Sequence, residues 1–403
     1  MVRKRALVAL EVVIAGGGVA ALETAWALHE LAGDRVKLTL LAPTPDFIYR
    51  PMAVLEPFVH RPPNQLPLAK FAAELNATLV QDTVAAVDCE RRVVHPGAQQ
   101  ERPYDALVIA VGARAGEVLG DAVVMDVSRM DESLHGLIKE IDGGSVRSLA
   151  FVAPEPTWPL PVYELALLVQ EHAREKNVDL AITIITAEQR PLAAFGESVS
   201  AGVEGLLADA AIQTIVGARV ESSSGELIVQ PGEQHLRFDR VVALPRLAGP
   251  AITGLPADAH GFLPITAHGD VSGIERVYAA GDATDFPVKY GGIAAQQADA
   301  AAESIAALSG APIEPTPFDG VVHGALVSGR EYRCLYFTAR IEGGLAQDSR
   351  TSDTPTWSPE AKIAAQYLGP YLEEIWGGTG RRWIAGQLSL EALLARHPPA
   401  LDF

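Results

Sequence analysis

The chain has 403 residues, room for two or three domains, and its 48% apolar and 20% charged residues are ordinary for a soluble globular protein. Its 50 Asp/Glu against 32 Lys/Arg leave a net charge of −18, which repels phosphates and argues against nucleic acid as a partner. Two cysteines with no C-x-x-C motif exclude a disulfide scaffold, and ten singly scattered histidines give no metal-ligand spacing.

The start, MVRKRALVALEVVIAGGG, places basic residues before apolar ones, but Glu11 interrupts the run and the apolar stretch flows into glycines, so no leader is read there. No apolar run reaches the ~18 residues of a spanning helix, and a cytoplasmic location is expected. Val12-Val13-Ile14-Ala15 predicts a buried parallel strand that ends in Gly16-Gly17-Gly18 and turns at once into a helix. The pattern is G-x-G-x-x-A on Gly16, Gly18 and Ala21. Gly16 allows the tight turn, Gly18 lets a pyrophosphate approach the backbone, and Ala21 lets the helix pack on the strand. The helix N-terminus then offers free N–H groups and the positive end of its dipole.

Arg35 to Leu41 predicts the second strand, which runs into Ala42-Pro43 without the acidic residue that usually holds a ribose hydroxyl; Asp46 comes several residues late. A proline-rich loop from Pro57 to Pro67 and short strands near 78–80, 85–88 and 91–94 follow, then Tyr104 to Arg114, a buried strand with a glycine turn. The βα pattern restarts at Ser148. Leu149 to Ala153 reads as a strand, Val162 to about Lys176 as a helix, Leu180 to Thr186 as a strand and Val199 to Ala211 as a helix. The loop between the first two, Pro154 to Pro161, holds four prolines and no glycine, so it lacks N–H groups for a phosphate. Val277 to Thr284 is a third strand-and-turn, followed by a helix from Ile293 to Leu308. Beyond Phe318 strand-like pieces at 324–328 and 335–341 precede a polar stretch, 347–356, and an amphipathic helix from Pro359 to Ile375. Ile363, Tyr367, Leu368, Tyr371, Leu372, Ile375 and Trp376 share one side of it. From Gly320 on, 8 Lys/Arg meet 9 Asp/Glu, so this tail is near neutral.

GGGVAALE at 16–23, YDALVIAVGAR at 104–114 and VYAAGDAT at 277–284, in this order, resemble the two-dinucleotide-fold flavoproteins, the FAD-dependent pyridine nucleotide–disulfide oxidoreductases, over residues 10 to about 310. The fold class implied is α/β: two Rossmann-like, three-layer dinucleotide-binding domains with a C-terminal α+β extension. The expected boundaries are 1–120 with 246–317 for the FAD domain, 121–245 for the second domain with its NAD(P) loop degenerate, and 318–403 for the extension. The resemblance implies non-covalent FAD held by Gly16, Gly18, Ala20 and Ala21, by Ala110, Gly112, Ala113 and Arg114, and by Gly281 and Asp282. Lys289, Gly292 and Gln296 are expected around the last helix.

The Pro-rich loop before Tyr163-Glu164, the sequence Lys289-Tyr290-Gly291-Gly292 and the C-terminal extension are similar to the sulfide:quinone oxidoreductase and type II NADH dehydrogenase branch. Glu164, as a proton relay or shaper of the substrate site, and Lys289, at the flavin edge, are the candidate catalytic residues. Glu164 has a plainer reading, a helix glutamate that complements the dipole. Trp158 and Tyr163 are placed either along the flavin pocket or in the core. Glu23 is placed either on a solvated helix face or near the flavin.

The departures are as informative. The second loop has no cysteine for sulfide chemistry and no glycine for NADH, so both standard donor sites are lost. Cys334 is expected to be a buried inert thiol. An FAD-dependent oxidoreductase is expected, with a small-molecule donor and a quinone or small organic acceptor. The alternatives are a non-enzymatic flavin-binding module, or subunit of an electron-transfer complex, and an NAD(P)H dehydrogenase with an atypical nucleotide site. The apolar face of the last helix leaves three partners open: the protein's own core, a second subunit in a homodimer, or peripheral contact with a membrane. The first two are favoured, because the helix carries few basic residues.

Overall fold

The computed structural model describes residues 9–59, 64–127, 129–155, 157–223, 225–329, 333–357 and 362–375. The chain opens with strand β1 (Leu10–Ala15), helix α1 (Val19–Ala32), strand β2 (Val36–Ala42), strand β3 (Thr78–Gln81) and strand β4 (Ala106–Ile109). These strands are apolar runs because both faces of the sheet they build are covered, one by α1 and the helix at 291–308, the other by Val87, Val94, Tyr104, Ile252 and Leu263. The Pro57–Pro67 stretch is not all loop: Asn64–Pro67 pairs antiparallel with Asp46–Tyr49, where Pro67, having no N–H to give, sits at the strand's end.

A second run of elements then builds a second sheet: β5 (Val123–Val124), β6 (Ser148–Ala153), α2 (Leu160–Glu175), β7 (Ala181–Thr186), α3 (Glu197–Asp209), β8 (Gln213–Ile215) and β9 (Arg240–Ala243). All its pairings are parallel, in the order β5-β9-β6-β7-β8. The chain returns to the first sheet with β10 (Val277–Ala279), followed by helix α4 (Gly291–Leu308). The first sheet is also fully parallel, in the order β10-β4-β1-β2-β3. Two parallel sheets, each with its crossover helix, make the α/β fold expected from the strand-and-turn pattern.

The C-terminal part differs from its sequence reading. Strands β11 (Val321–Val327), β12 (Cys334–Glu342) and β13 (Leu345–Ser352) form one antiparallel sheet. The polar stretch 347–356 is therefore largely its third strand. A Gly343-Gly344 turn with positive φ at both residues closes the hairpin. Alternate residues of one face, Val322, Leu326, Phe337, Ala339 and Ile341, share a core with Leu160, Tyr163, Phe195 and Val199 of the second unit. The last helix is shorter than expected: residues 362–367 are not helical, and α5 spans Leu368–Ile375. Residues 359–361 and Trp376 lie outside the described residues. Ile363, Leu368 and Leu372 are buried in the core of the first sheet, where the Tyr371 ring lies 4.7 Å from Trp26 and 5.2 Å from Phe71. The apolar face of α5 is thus covered by the chain's own core. Among the described residues no helix is long and apolar enough to cross a membrane.

Candidate functional site

Strands β1, β4 and β10 are neighbours, so the three motifs that follow them emerge at one sheet edge. Ala110 N–H donates to the Ala15 carbonyl at 2.7 Å, and Ala280 N–H to the Ile109 carbonyl at 3.0 Å. Because β1 has β2 on one side and β4 on the other, a crevice opens at this edge, the usual place for a ligand in such sheets.

Gly16 has φ +135°, and a side chain there would run into the Ala110 carbonyl. Gly17 is hemmed in by Leu68, 2.8 Å from where a Cβ would lie, and by Ala42. Ala42 is also the residue in place of the missing acid. Gly18, the N-cap of α1, faces open space: nothing lies within 4 Å of an added Cβ. The first turn of α1 holds no side-chain cap and no acid, so its N–H groups and dipole point into that space uncompensated. Ala21 is fully buried, as its packing role requires. Gly112, with φ +75°, is likewise open on its Cβ side. Arg114, beyond it, reaches the Pro250 carbonyl and pairs with Ala248 in a two-stranded ribbon.

Gly281, φ +79°, is squeezed between helices: a Cβ there would lie 3.3 Å from Ala20 of α1 and from Ala294 of α4. Alanine and glycine at these positions let the two helices come together over the turn. The turn is braced from α4 by Gln297, whose carbonyl oxygen accepts the Gly281 N–H at 2.8 Å and the Thr284 hydroxyl at 3.4 Å. Its Nε2, also buried, has no partner. Gln296 faces elsewhere and donates to the Val321 carbonyl of β11 at 2.6 Å. Two adjacent glutamines gave no local signal to choose between them, and the helix's rotation decides.

Asp282 is partly buried at the turn, and burial pushes its carboxyl above the usual range against the pull of Lys289 and Arg50. Lys289 donates to the Thr284 carbonyl, and its ammonium sits 3.9 Å above the Phe262 ring centroid. Burial lowers its pKa to about 8, against the pull of Asp282, Asp285 and Asp258. Gly292 is buried beside the Tyr290 ring, and a Cβ on Gly291 would lie 2.6 Å from Ile363. The segment around Ile363 therefore runs across the start of α4.

Glu164 is 1% exposed. Its Oε1 accepts the Val327 N–H of β11 at 2.8 Å and pairs with the Lys362 ammonium, itself buried. Burial raises its pKa, opposed by Lys362 and the Val327 N–H. The Tyr290 hydroxyl donates to the Lys362 and His323 carbonyls, tying the same segment to the start of α4. Trp158 stands 5.7 Å from Tyr290 and 5.4 Å from Phe195, in a half-buried aromatic cluster. Tyr163 is a core residue whose hydroxyl donates to Glu188 at 2.6 Å.

Glu23 does not lie on a solvated helix face. It is fully buried and accepts the backbone N–H groups of Tyr367 (2.9 Å) and Leu368 (2.6 Å) at the entry to α5. Cys334 is held in β12 near Lys362 and Glu164, and burial pushes its thiol up to about 11. Arg333, the residue that could have activated it, pairs with Glu171 instead. At the second unit, the first turn of α2 is closed by buried Leu160, Pro161 and Val162. No group of three or more His, Cys, Asp or Glu among the described residues could hold a metal ion.

No family model matches the chain. Among solved structures it is similar to a sulfide:quinone oxidoreductase from the hyperthermophilic bacterium Aquifex aeolicus, at 19% identity and a TM-score of 0.76, over 94% of this chain and 92% of that one. It is also similar to a ferredoxin reductase from Rhodopseudomonas palustris (19% identity, TM-score 0.64, 82% of each chain). A third likeness is to an NAD-dependent persulfide reductase from A. fulgidus (20% identity, TM-score 0.61, 83% of this chain and 64% of that one). The chain has the fold of these oxidoreductases, and the resemblance that the three motifs imply holds at the level of fold.

Proposed function

We propose that the chain is an FAD-dependent oxidoreductase that passes electrons through a non-covalent flavin to a quinone or another small organic acceptor. The observation that carries the reading is the open, uncapped start of α1 at Gly18, with the Gly281–Asp282 turn pressed against Ala20 beside it. The residues fit a dinucleotide. Gly18 leaves room for a pyrophosphate, the first-turn N–H groups of α1 neutralise it, and Gly112 and Asp282 stand at the same crevice. Bound FAD would supply a two-electron redox centre, chemistry that no side chain here offers.

The chain's own residues then orient and tune. Asp282 offers an acceptor for sugar hydroxyls. Lys289, still largely protonated at neutral pH with its pKa near 8, places a positive charge by the turn. Gly292 belongs to the first turn of α4, whose dipole favours negative charge in front of it. Glu164 acts as a positioning residue, its Oε1 holding the Val327 N–H and the Lys362 ammonium. Arg114 and Gln296 bind protein carbonyls, those of Pro250 and Val321.

One observation favours a second reading. The first turn of α2 is packed with buried Leu160, Pro161 and Val162, which suits a flavin-binding module or electron-transfer subunit that takes no nicotinamide there. Anaerobic mixing of the purified yellow protein with NADH, NADPH and sulfide separates the readings. Slow or absent bleaching by NADH, with reoxidation of chemically reduced protein by a quinone analogue, is the expected result. Rapid bleaching by NADH would overturn the reading of α2. A colourless protein that takes up no added FAD would overturn the proposal.

A further inference from the structure

Helices α1 and α4 carry the two turns of the crevice, and away from the crevice they share a second, buried contact. Glu23 of α1 and Asp299 of α4 hydrogen-bond to each other there. Glu23 in turn accepts the N–H groups of Tyr367 and Leu368. These two amides begin α5, and the segment before them runs back over the crevice. There Tyr49 bonds Ile363, Tyr290 bonds the Lys362 carbonyl, and Glu164 pairs with Lys362. Residues 362–375 are thus a strap, tied near the crevice by two tyrosines and an ion pair and at its far side by a carboxyl pair.

Two carboxyls in contact, Glu23 buried and Asp299 half-buried, do not readily both ionise. Burial, then the charge of Glu23, pushes Asp299 up to about 9, and burial also raises Glu23. Glu303 on α4 makes the charge of the pair harder to bear, and the pair, Glu303 and Glu30 on α1 together push up the Tyr367 phenol on the strap. None of the ion pairs among the described residues brings a Lys or Arg to these carboxyls. At neutral pH Asp299 keeps its proton, and the Glu23 oxygens accept the two amides.

We propose that Glu23 and Asp299 are positioning residues that hold the strap across the start of α4 through one shared proton, and that the strap loosens when the proton leaves. The sign follows from linkage. With the strap docked, burial and the Glu23 charge hold the Asp299 carboxyl above its ordinary value of 3.8, so docking weakens as pH rises towards about 9. Each pH unit in that window shifts the docking equilibrium towards release by up to about tenfold. That release would uncover a flavin-side helix end rests on the function proposed above; the docking equilibrium itself does not.

Hydrogen–deuterium exchange of the full chain, read by mass spectrometry on peptides spanning 362–375 from pH 6 to 10 and corrected for chemical exchange, tests this. Protection of the Tyr367 and Leu368 amides should fall at least about tenfold between pH 7 and 9.5 while protection of α2 stays constant. Asp299→Asn keeps a donor but cannot titrate, and should flatten the profile. Glu23→Gln should lower protection at every pH. A flat wild-type profile overturns the proposal, even if neither variant folds, and so does an Asp299→Asn profile that falls like the wild type's. Flavin absorbance followed in the same samples keeps the two readings apart: a colourless protein with a pH-dependent strap sinks the proposed function and supports the strap.

Discussion

The side-chain carbonyl of Gln297 accepts the backbone N–H of Gly281 at 2.8 Å, so a helix residue 16 positions further on fixes the turn that carries Asp282. Gln297→Leu would leave that N–H without its acceptor. A loss of about 1–3 kcal/mol in stability is expected, with weaker FAD retention. Urea unfolding and an FAD dissociation constant check it; two unchanged values would show that the brace does nothing.

Gly16 and Gly18 should separate folding from binding. Gly16→Ala forces a Cβ into the Ala110 carbonyl at φ +135° and should cost more than about 1 kcal/mol. Gly18→Ala meets no atom at φ −94°, so stability should stay within about 1 kcal/mol of wild type. It does fill the space in front of the α1 amides, and FAD affinity should drop. Thermal melts with and without added FAD measure both; a Gly18→Ala variant that binds FAD normally would move the cofactor away from α1.

The Glu164–Lys362 pair predicts strong coupling. Glu164→Gln strands a buried ammonium and should cost about 3–5 kcal/mol, while Glu164→Gln with Lys362→Met should recover much of the loss. A double-mutant cycle in urea supplies the coupling energy. Flavin reduction and reoxidation rates of Glu164→Gln across pH then bear on catalysis: a pH profile displaced from wild type would restore a relay role, and an unchanged one supports pure positioning.

The Cys334 thiol, pushed up to about 11, should be almost wholly protonated at pH 8 and alkylate far more slowly than a free thiol. Cys334→Ala should keep wild-type turnover with any acceptor that works. Rapid, selective alkylation at neutral pH, or lost turnover in the variant, would return Cys334 to the reaction.

The parts of this molecule that could be read from its sequence are those where one residue type answers a local demand. The glycines at 16, 18 and 281 follow apolar strands, and strand-turn-helix is a pattern of neighbours, so the crevice and its two helices were legible. Partners set by tertiary folding were not. Glu23 reads as a face residue of a helix because the amides that bind it lie more than 340 positions away. Gln297 cannot be told from Gln296 without the rotation of α4. The 347–356 stretch reads only as polar because β13 pairs on one side only and buries little, so its apolar alternation is weak.

The embrace of Glu23 by Tyr367 and Leu368 bears on how the chain comes off the ribosome. This helix is completed by amides made 344 residues later, and its sheet also waits for β10 after the whole second unit has been translated. Until then a buried carboxylate lacks its donors and the first unit is an unfinished, aggregation-exposed intermediate. Chains cut short before residue 367 carry that defect permanently, which gives quality-control proteases a chemical basis for telling finished copies from unfinished ones.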